Sequence, residues 1–323
     1  MLQKVIDAIV DVFRNHKKKI VFMFASFVIF TIALFPYGDL GDLVTAKVMD
    51  LTQNQVYLQF DDMGISIFPS PGVKLDNVYI ESVFLPSLNV KSLALAPSIM
   101  GFITLSPGIS IRADGFLGGD LSLSAKKGKE ISKESFQIDV SANWSQIALK
   151  EILSIANISI DPKGNINGDA KLILDPSFRE QPDGKIYLRT KKIVIPADTP
   201  TAFGPLPELT FSQLEVNLLL ANNQLKIDQG RIGSPQDPIS GEVTGSFGLK
   251  FDKNRQGAVE PVFSNYEIKL KLSVNEVLTN KGILALVLAY LDRCKKPGSA
   301  GKLSYRCRLN ASGFQTTPRI QTF

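Results

Sequence analysis

From Val56 to Ala311 the chain keeps returning to one pattern: short runs in which apolar and polar residues alternate, set apart by Gly, Asn, Asp or Pro. "YEIKLKLSV" shows it best, with Tyr266, Ile268, Leu270, Leu272 and Val274 on one side and Glu267, Lys269 and Lys271 on the other. A period of two puts one face of a strand against a core and the other in water, and many such runs joined by turn residues predict a mainly β, antiparallel body. Further runs begin at Val56, Gly64, Val73, Leu121, Phe136, Lys171, Lys185, Gln224, Val243 and Lys302. Two passages read instead as short helices. "SQIALKEILSIAN" opens with Ser145 as an N-cap, and "TNKGILALVLAYLDR", Thr279–Arg293, is largely apolar but too short to span a bilayer, so it should dock on or plug the sheet.

One stretch is written twice. "LPSLNVKSLAL" at Leu85–Leu95 returns as "LPELTFSQLEV" at Leu206–Val216. Leu88, Val90 and Leu93 in the first copy correspond to Leu209, Phe211 and Leu214 in the second, each set alternating and then stepping by three. A shared three-step predicts a bulge or bend at the same point of two related β-units. Those six residues, with Ile268, Leu270 and Leu272, are the candidate apolar face. The Pro- and Gly-rich "PADTPTAFGPLP", Pro196–Pro207, reads as a connector, which divides the body into units at 38–195 and 196–323.

The N-terminus is of another kind. Residues 1–19 hold Lys4, Arg14, Lys17, Lys18 and Lys19 against Asp7 and Asp11, so +3 of the chain's net +5 lies there. The apolar residues Leu2, Val5, Ile6, Ile9, Val10 and Phe13 suit a helix lying on a membrane surface, or the first turns of a longer one. "IVFMFASFVIFTIALF" follows, an uncharged run in which Ile20, Val21, Phe22, Phe24, Phe27, Val28, Ile29, Phe30, Ile32, Leu34 and Phe35 are large and apolar. At 1.5 Å per residue it covers about 24 Å of a hydrocarbon core of about 30 Å, so it reads as a slightly short transmembrane anchor over 20–37. Tyr37 and snorkelling of Lys17, Lys18 and Lys19 would make up the difference. The same lysines keep the N-terminus cytoplasmic and send the body across. A cleaved signal peptide, cut after Val44-Thr45-Ala46, is the rival reading.

Beyond the first 19 residues no basic stripe exists, which leaves no nucleic-acid surface. The only histidine, His16, lies beside the membrane, so His-dependent triads in the body are excluded. Two cysteines and one histidine cannot build a four-ligand zinc site. "DPKGNINGD" at Asp161–Asp169 lacks the acidic twelfth ligand of a calcium loop. No cofactor is expected and no enzyme is expected. Cys294 and Cys307 flank a Pro-Gly turn, and a disulfide between them suits an oxidising compartment; two separately buried thiols are the alternative.

The order of these parts resembles the AsmA-like envelope proteins, carried by "GISIFPSPGVKLDNVYIES", "LPSLNVKSLALAP" and "GGDLSLSA". The second half, "LPELTFSQLEVNLLLANNQLKIDQGRIG" with the closing "YRCRLNASGFQTTPRI", is similar to type II secretion protein N (GspN). The resemblance implies an elongated, curved antiparallel sheet behind one inner-membrane helix, with the bulk periplasmic. It implies a non-catalytic accessory or scaffold of the type II secretion system, touching other secretion components. The wider group implies the alternative, an apolar trough that carries phospholipid acyl chains.

Overall fold

The structure is a computed structural model that describes residues 17–34, 37–52, 54–66, 71–82, 86–98, 106–132, 135–155, 158, 160–176, 178–200, 204–253, 259–279, 282–298, 301–313 and 318–323. The proposed surface helix of residues 1–16, His16 and Phe35 lie outside them. The chain begins with α1 (Lys17–Leu34) and, after a 3-10 turn, α2 (Gly41–Leu51). In α1 the apolar stretch Ile20–Leu34 is about 22 Å long. Among the described residues no helix is long and apolar enough to cross a membrane, so the expected span over 20–37 lacks a helix of spanning length there.

The strands that follow are β1 (Val56–Gln59), β2 (Asp62–Ser66), β3 (Gly72–Ser82), β4 (Leu88–Pro97), β5 (Gly108–Phe116), β6 (Gly119–Ser132) and β7 (Ser135–Ala148). After α3 (Leu149–Ile155) come β8 (Asn165–Leu174), β9 (Asp183–Thr190), β10 (Ile193–Ile195), β11 (Leu209–Phe211), β12 (Leu214–Ala221), β13 (Gln224–Ile232), β14 (Ile239–Lys253) and β15 (Val259–Asn275). The chain closes with α4 (Gly282–Tyr290), β16 (Lys295–Lys296), β17 (Lys302–Ala311) and β18 (Arg319–Thr322). Sixteen of these strands form one antiparallel sheet in the order β1-β3-β4-β5-β6-β7-β8-β9-β12-β13-β14-β15-β17-β16, with β2 beside β3 and β18 beside β17. Nearly every strand therefore pairs with its neighbour in sequence. At about 4.8 Å per strand the eleven steps from β3 to β17 cover about 53 Å. That falls short of the roughly 90 Å that full stacking of 18–20 strands would give, because β1, β2, β16 and β18 sit at the ends and β10 and β11 leave the sheet.

Two helical expectations meet the structure differently. Ser145 caps no helix: β7 runs on to Ala148, with Ile147 opposite Ile166 and Ala148 opposite Asn165. Pairing with β8 satisfies these backbone groups where a helix would have had to satisfy them itself. A bulge at Gln146 (φ 59°) absorbs the irregular spacing, and its N–H donates to Asn167 Oδ1 at 2.9 Å. Only Leu149–Ile155 is helical. The second passage is helical as expected, as α4 followed by a 3-10 turn at Asp292–Cys294.

The doubled L-P-x-L stretch takes two forms. In the first copy β4 is unbroken, and Val90 and Leu93 still belong to one cluster because the kinks fall in its neighbours, at Asn77 (φ 51°) of β3 and Gly115 (φ 77°) of β5. In the second copy the three-step is a change of sheet. Leu209 and Phe211 pair with β10 in a separate two-stranded sheet, and Leu214 opens β12 in the large one. The main sheet runs past the connector, since β9 pairs directly with β12.

The buried core is split between the two ends. At the N-terminal end Leu58, Met63, Leu75, Val78, Val90 and Ala113 are packed by Leu40, Val44 and Val48 of the helical segment. At the C-terminal end Val274, Leu278, Leu288, Leu291, Cys294, Tyr305 and Cys307 gather under α4, with Leu209 of the small sheet. Cys294 and Cys307 are disulfide-bonded, their Cα atoms 5.3 Å apart, and both are fully buried.

Candidate functional site

The strand registers turn local alternation into a feature of the whole molecule. From Leu75 the cross-strand partners run Leu93, Ala113, Leu121, Trp144 and Gly168 across β4 to β8. The row continues through Leu188, Val216, Gly230, Val243, Leu270 and Cys307 on β9 to β17. A second row, two residues along each strand, starts at Val73 and passes through Leu95, Ile111, Leu123, Ala142, Ala170 and Ile186. It goes on through Leu218, Ile227, Gly245, Ile268 and Leu309 to Ile320. A third row from Pro97 includes Ile109, Ala125, Val140, Leu172, Leu220, Leu225, Phe247 and Tyr266. No charged or amide side chain interrupts any of the three.

All three rows share one face, because side chains two apart on a strand point the same way. The intervening residues form the other face, and there the register aligns Arg112, Ser122, Asn143, Asp169, Tyr187, Asn217 and Gln229. Shallow grooves on that face mix acids with bases, as where Asp114, Asp120 and Asp169 meet Arg112 and Arg189. Such a surface is simply wet. The apolar face is another matter. From β6 to β9, beyond Leu121, the face belongs to neither buried cluster, and among the described residues the short α3 meets the end of β7. Most side chains of the face are half-buried and Ile109 is 43 % exposed, while the small Ala113 and Ala170 are buried. So long a connected apolar surface outside a buried cluster is unusual, since larger exposed patches mark binding sites.

The bulges keep the rows in line. Opposite Asn217 and Leu218 of β12, β13 carries the additional residue Asp228, so Ile227 and Gly230 both return to the apolar face. Glycine makes room at one contact in particular. A Cβ on Gly168 would lie 2.5 Å from Cζ2 of Trp144, so only glycine lets the sole tryptophan lie over β8. At one rim the chain closes on itself. Gln181 bridges to Phe251, donating from Nε2 to its carbonyl at 3.0 Å and accepting its N–H at 2.7 Å, while the rings of Phe178 and Phe251 pack 6.2 Å apart. This strap links the β8–β9 connection to β14, away from the rows of β6 and β7.

The candidate apolar residues separate by position. Leu93, Leu270 and Ile268 lie in the first two rows. Leu214 and Leu272 belong to a shorter fourth row on the same face, through Ile232 and Gly241. Leu209 and Phe211 lie outside the large sheet and pack over its C-terminal end, where Leu270 and Leu272 are therefore covered. Leu88 and Val90 sit at the opposite end, paired with Ile80 and Val78. Sequence reasoning missed the middle of the apolar face, from Leu123 and Trp144 to Ile186 and Leu218. Its signal was present in the two-residue turns Leu117-Gly118 and Asn222-Asn223, all with positive φ, which fix hairpin register.

Few groups titrate unusually. Burial pushes the Tyr305 hydroxyl up, and the charge of Asp292 adds to it. Asp237 is held below the ordinary carboxylate value: partial burial alone would raise it, but the backbone and hydroxyls of Ser212 and Ser234 donate to it at 2.7–3.2 Å and prevail. Asp237 braces a turn, and Tyr305 lies in the C-terminal core. Among the described residues no group of three His, Cys, Asp or Glu side chains is placed to hold a metal ion. No protein-family profile, curated protein or solved structure matches the chain.

Proposed function

We propose that this is a membrane-tethered, non-catalytic lipid-handling protein whose apolar sheet face takes phospholipid acyl chains. One observation carries the reading: three in-register rows of apolar side chains cross the sheet, and over β7–β9 they belong to neither buried cluster and are mostly half-buried. Acyl chains are the ligand that such a surface fits, being long, apolar and without any demand for hydrogen bonds. A sheet that curves about these rows would form a trough.

The tether is α1. Its described side chains have no protein to bury against: Phe22 is 75 % exposed and Phe27 67 %. With Phe35 continuing the apolar run and Lys17, Lys18 and Lys19 at the cytoplasmic side, the helix sits in the inner membrane and the body in the periplasm. A signal-peptide cut after Ala46 would sever α2, whose Val44 and Val48 pack the N-terminal core and whose Thr45 hydroxyl donates to the Leu58 carbonyl at 2.8 Å. The type II secretion role asks for secretion components at a free strand edge. The apolar rows ask for a lipid, and they are the larger feature.

Trp144 supplies the test, because the only tryptophan stands in the first row. The full chain, exchanged into brominated phospholipid, should show strongly quenched emission. Substituting Ile186→Asp and Leu218→Asp, a cross-strand pair in the middle of the apolar face, should relieve the quenching. Emission indifferent to brominated lipid would refute the acyl-chain reading.

A further inference from the structure

We infer that α4 is a second membrane-contacting element, docking the C-terminal end of the sheet on an anionic phospholipid surface. No charged residue occurs from Gly282 to Leu291. Helical spacing divides its apolar residues into two stripes. Leu284, Leu288 and Leu291 point into the C-terminal core, and Leu288 and Leu291 are 6 % and 5 % exposed. Ile283, Leu286, Val287 and Tyr290, spaced i, i+3, i+4, i+7, form the other stripe, along which Leu286 is 60 % and Tyr290 49 % exposed. Val277 on the preceding 3-10 turn is 67 % exposed and extends the patch. A helix apolar all round belongs in a protein core or in lipid, and here the protein covers half of it.

Three features name lipid as the occupant. Arg293, Lys295 and Lys296 follow the helix, all exposed, against Asp292, which is 3.9 Å from Lys295; this balance suits anionic headgroups. Tyr290 ends the stripe next to these charges, where an amphipathic ring sits at a bilayer interface. Finally, the apolar rows lead here, since Leu270, Leu309 and Ile320 pack against the cluster that Leu288 and Leu291 complete. This last point rests on the acyl-chain reading; the stripe and its basic neighbours do not. α1 and α4 stand at opposite ends of the strand order, so docking through α4 engages a second bilayer surface.

The test uses the full chain reconstituted through α1 into one vesicle population, with labelled acceptor vesicles of phosphatidylethanolamine and phosphatidylglycerol. Docking of acceptors is read by energy transfer, and Trp144 quenching by brominated donor lipid is read in parallel. Leu286→Glu with Val287→Glu should weaken docking by at least about tenfold while Trp144 quenching stays as in the wild type. An intact Cys294–Cys307 bond and unchanged hydrogen-exchange protection of β17 show that the variant is folded. Unchanged docking in a folded variant overturns the proposal. So does a wild-type dimer that the variant dissociates with docking intact, which would assign the stripe to a second copy. Lost docking with Trp144 unquenched even in the wild type would keep α4 as a lipid-docking element and remove the acyl-chain reading alone.

Discussion

Replacing both Cys294 and Cys307 by Ser should weaken one end of the molecule and leave the rest alone. The cysteines are 13 residues apart. Closing a loop of that size restricts the unfolded chain by roughly 3 kcal/mol. With a urea dependence of about 3 kcal/mol per molar for a body this large, the corresponding transition should move down by about 1 M. The structure also says where. In a sheet whose strands touch mainly their sequence neighbours, stability is a sum of local terms. The bond joins the segment after α4 to β17, so hydrogen-exchange protection should fall in α4, β15 and β17 and persist in β5–β8. Urea titration with peptide-resolved exchange measures both. If midpoint and protection match the wild type, burial of Leu288 and Leu291 alone holds the end together and the loop-closure reasoning fails.

Asp237→Asn should flatten the acid limb of stability. The Asp237 carboxyl is depressed below its ordinary 3.8, so its contribution is present above that value and is lost as pH falls through the lower folded one. Thermal unfolding of the two proteins from pH 6 to pH 2 should converge at the acid end, and parallel curves would contradict the assignment. Gly168→Val should cost about 1–3 kcal/mol through collisions with the Tyr187 carbonyl and the Trp144 ring, and shift the emission of that ring. A variant with wild-type stability and spectrum would show that the ring does not lie over β8.

How much of this was legible in the residues depended on distance along the chain. Alternation in "YEIKLKLSV" already separates Ile268 and Leu270 from Glu267 and Lys269, since that is a property of one strand. Which residue on the next strand continues the row is a question of register, and turns decide it. Asn222-Asn223 announces a tight hairpin, but Asp228 of β13 and the additional residue at Ser264-Asn265 of β15 shift the pairing through bulges that no local pattern marks. The Ser145 passage failed for a related reason. Its helix cues are genuine, yet Ile166 and Asn165, some twenty residues on, offer a ladder that outcompetes them. The doubled L-P-x-L stretch is the clearest case, because equal letters produced a continuous strand in one place and a change of sheet in the other.

Both edges of the large sheet are finished with fragments: β1 and β2 share one side of β3, and β16 and β18 share one side of β17. Fragments this short offer little backbone for another chain to pair with, so they act as end-stops of the sheet. Its reach is then a built-in ruler. Because each strand reverses direction, the interior can lengthen only by whole hairpins, about 9.6 Å at a time, without exchanging one terminus for the other. A relative serving a wider gap would be expected to differ by an even number of strands.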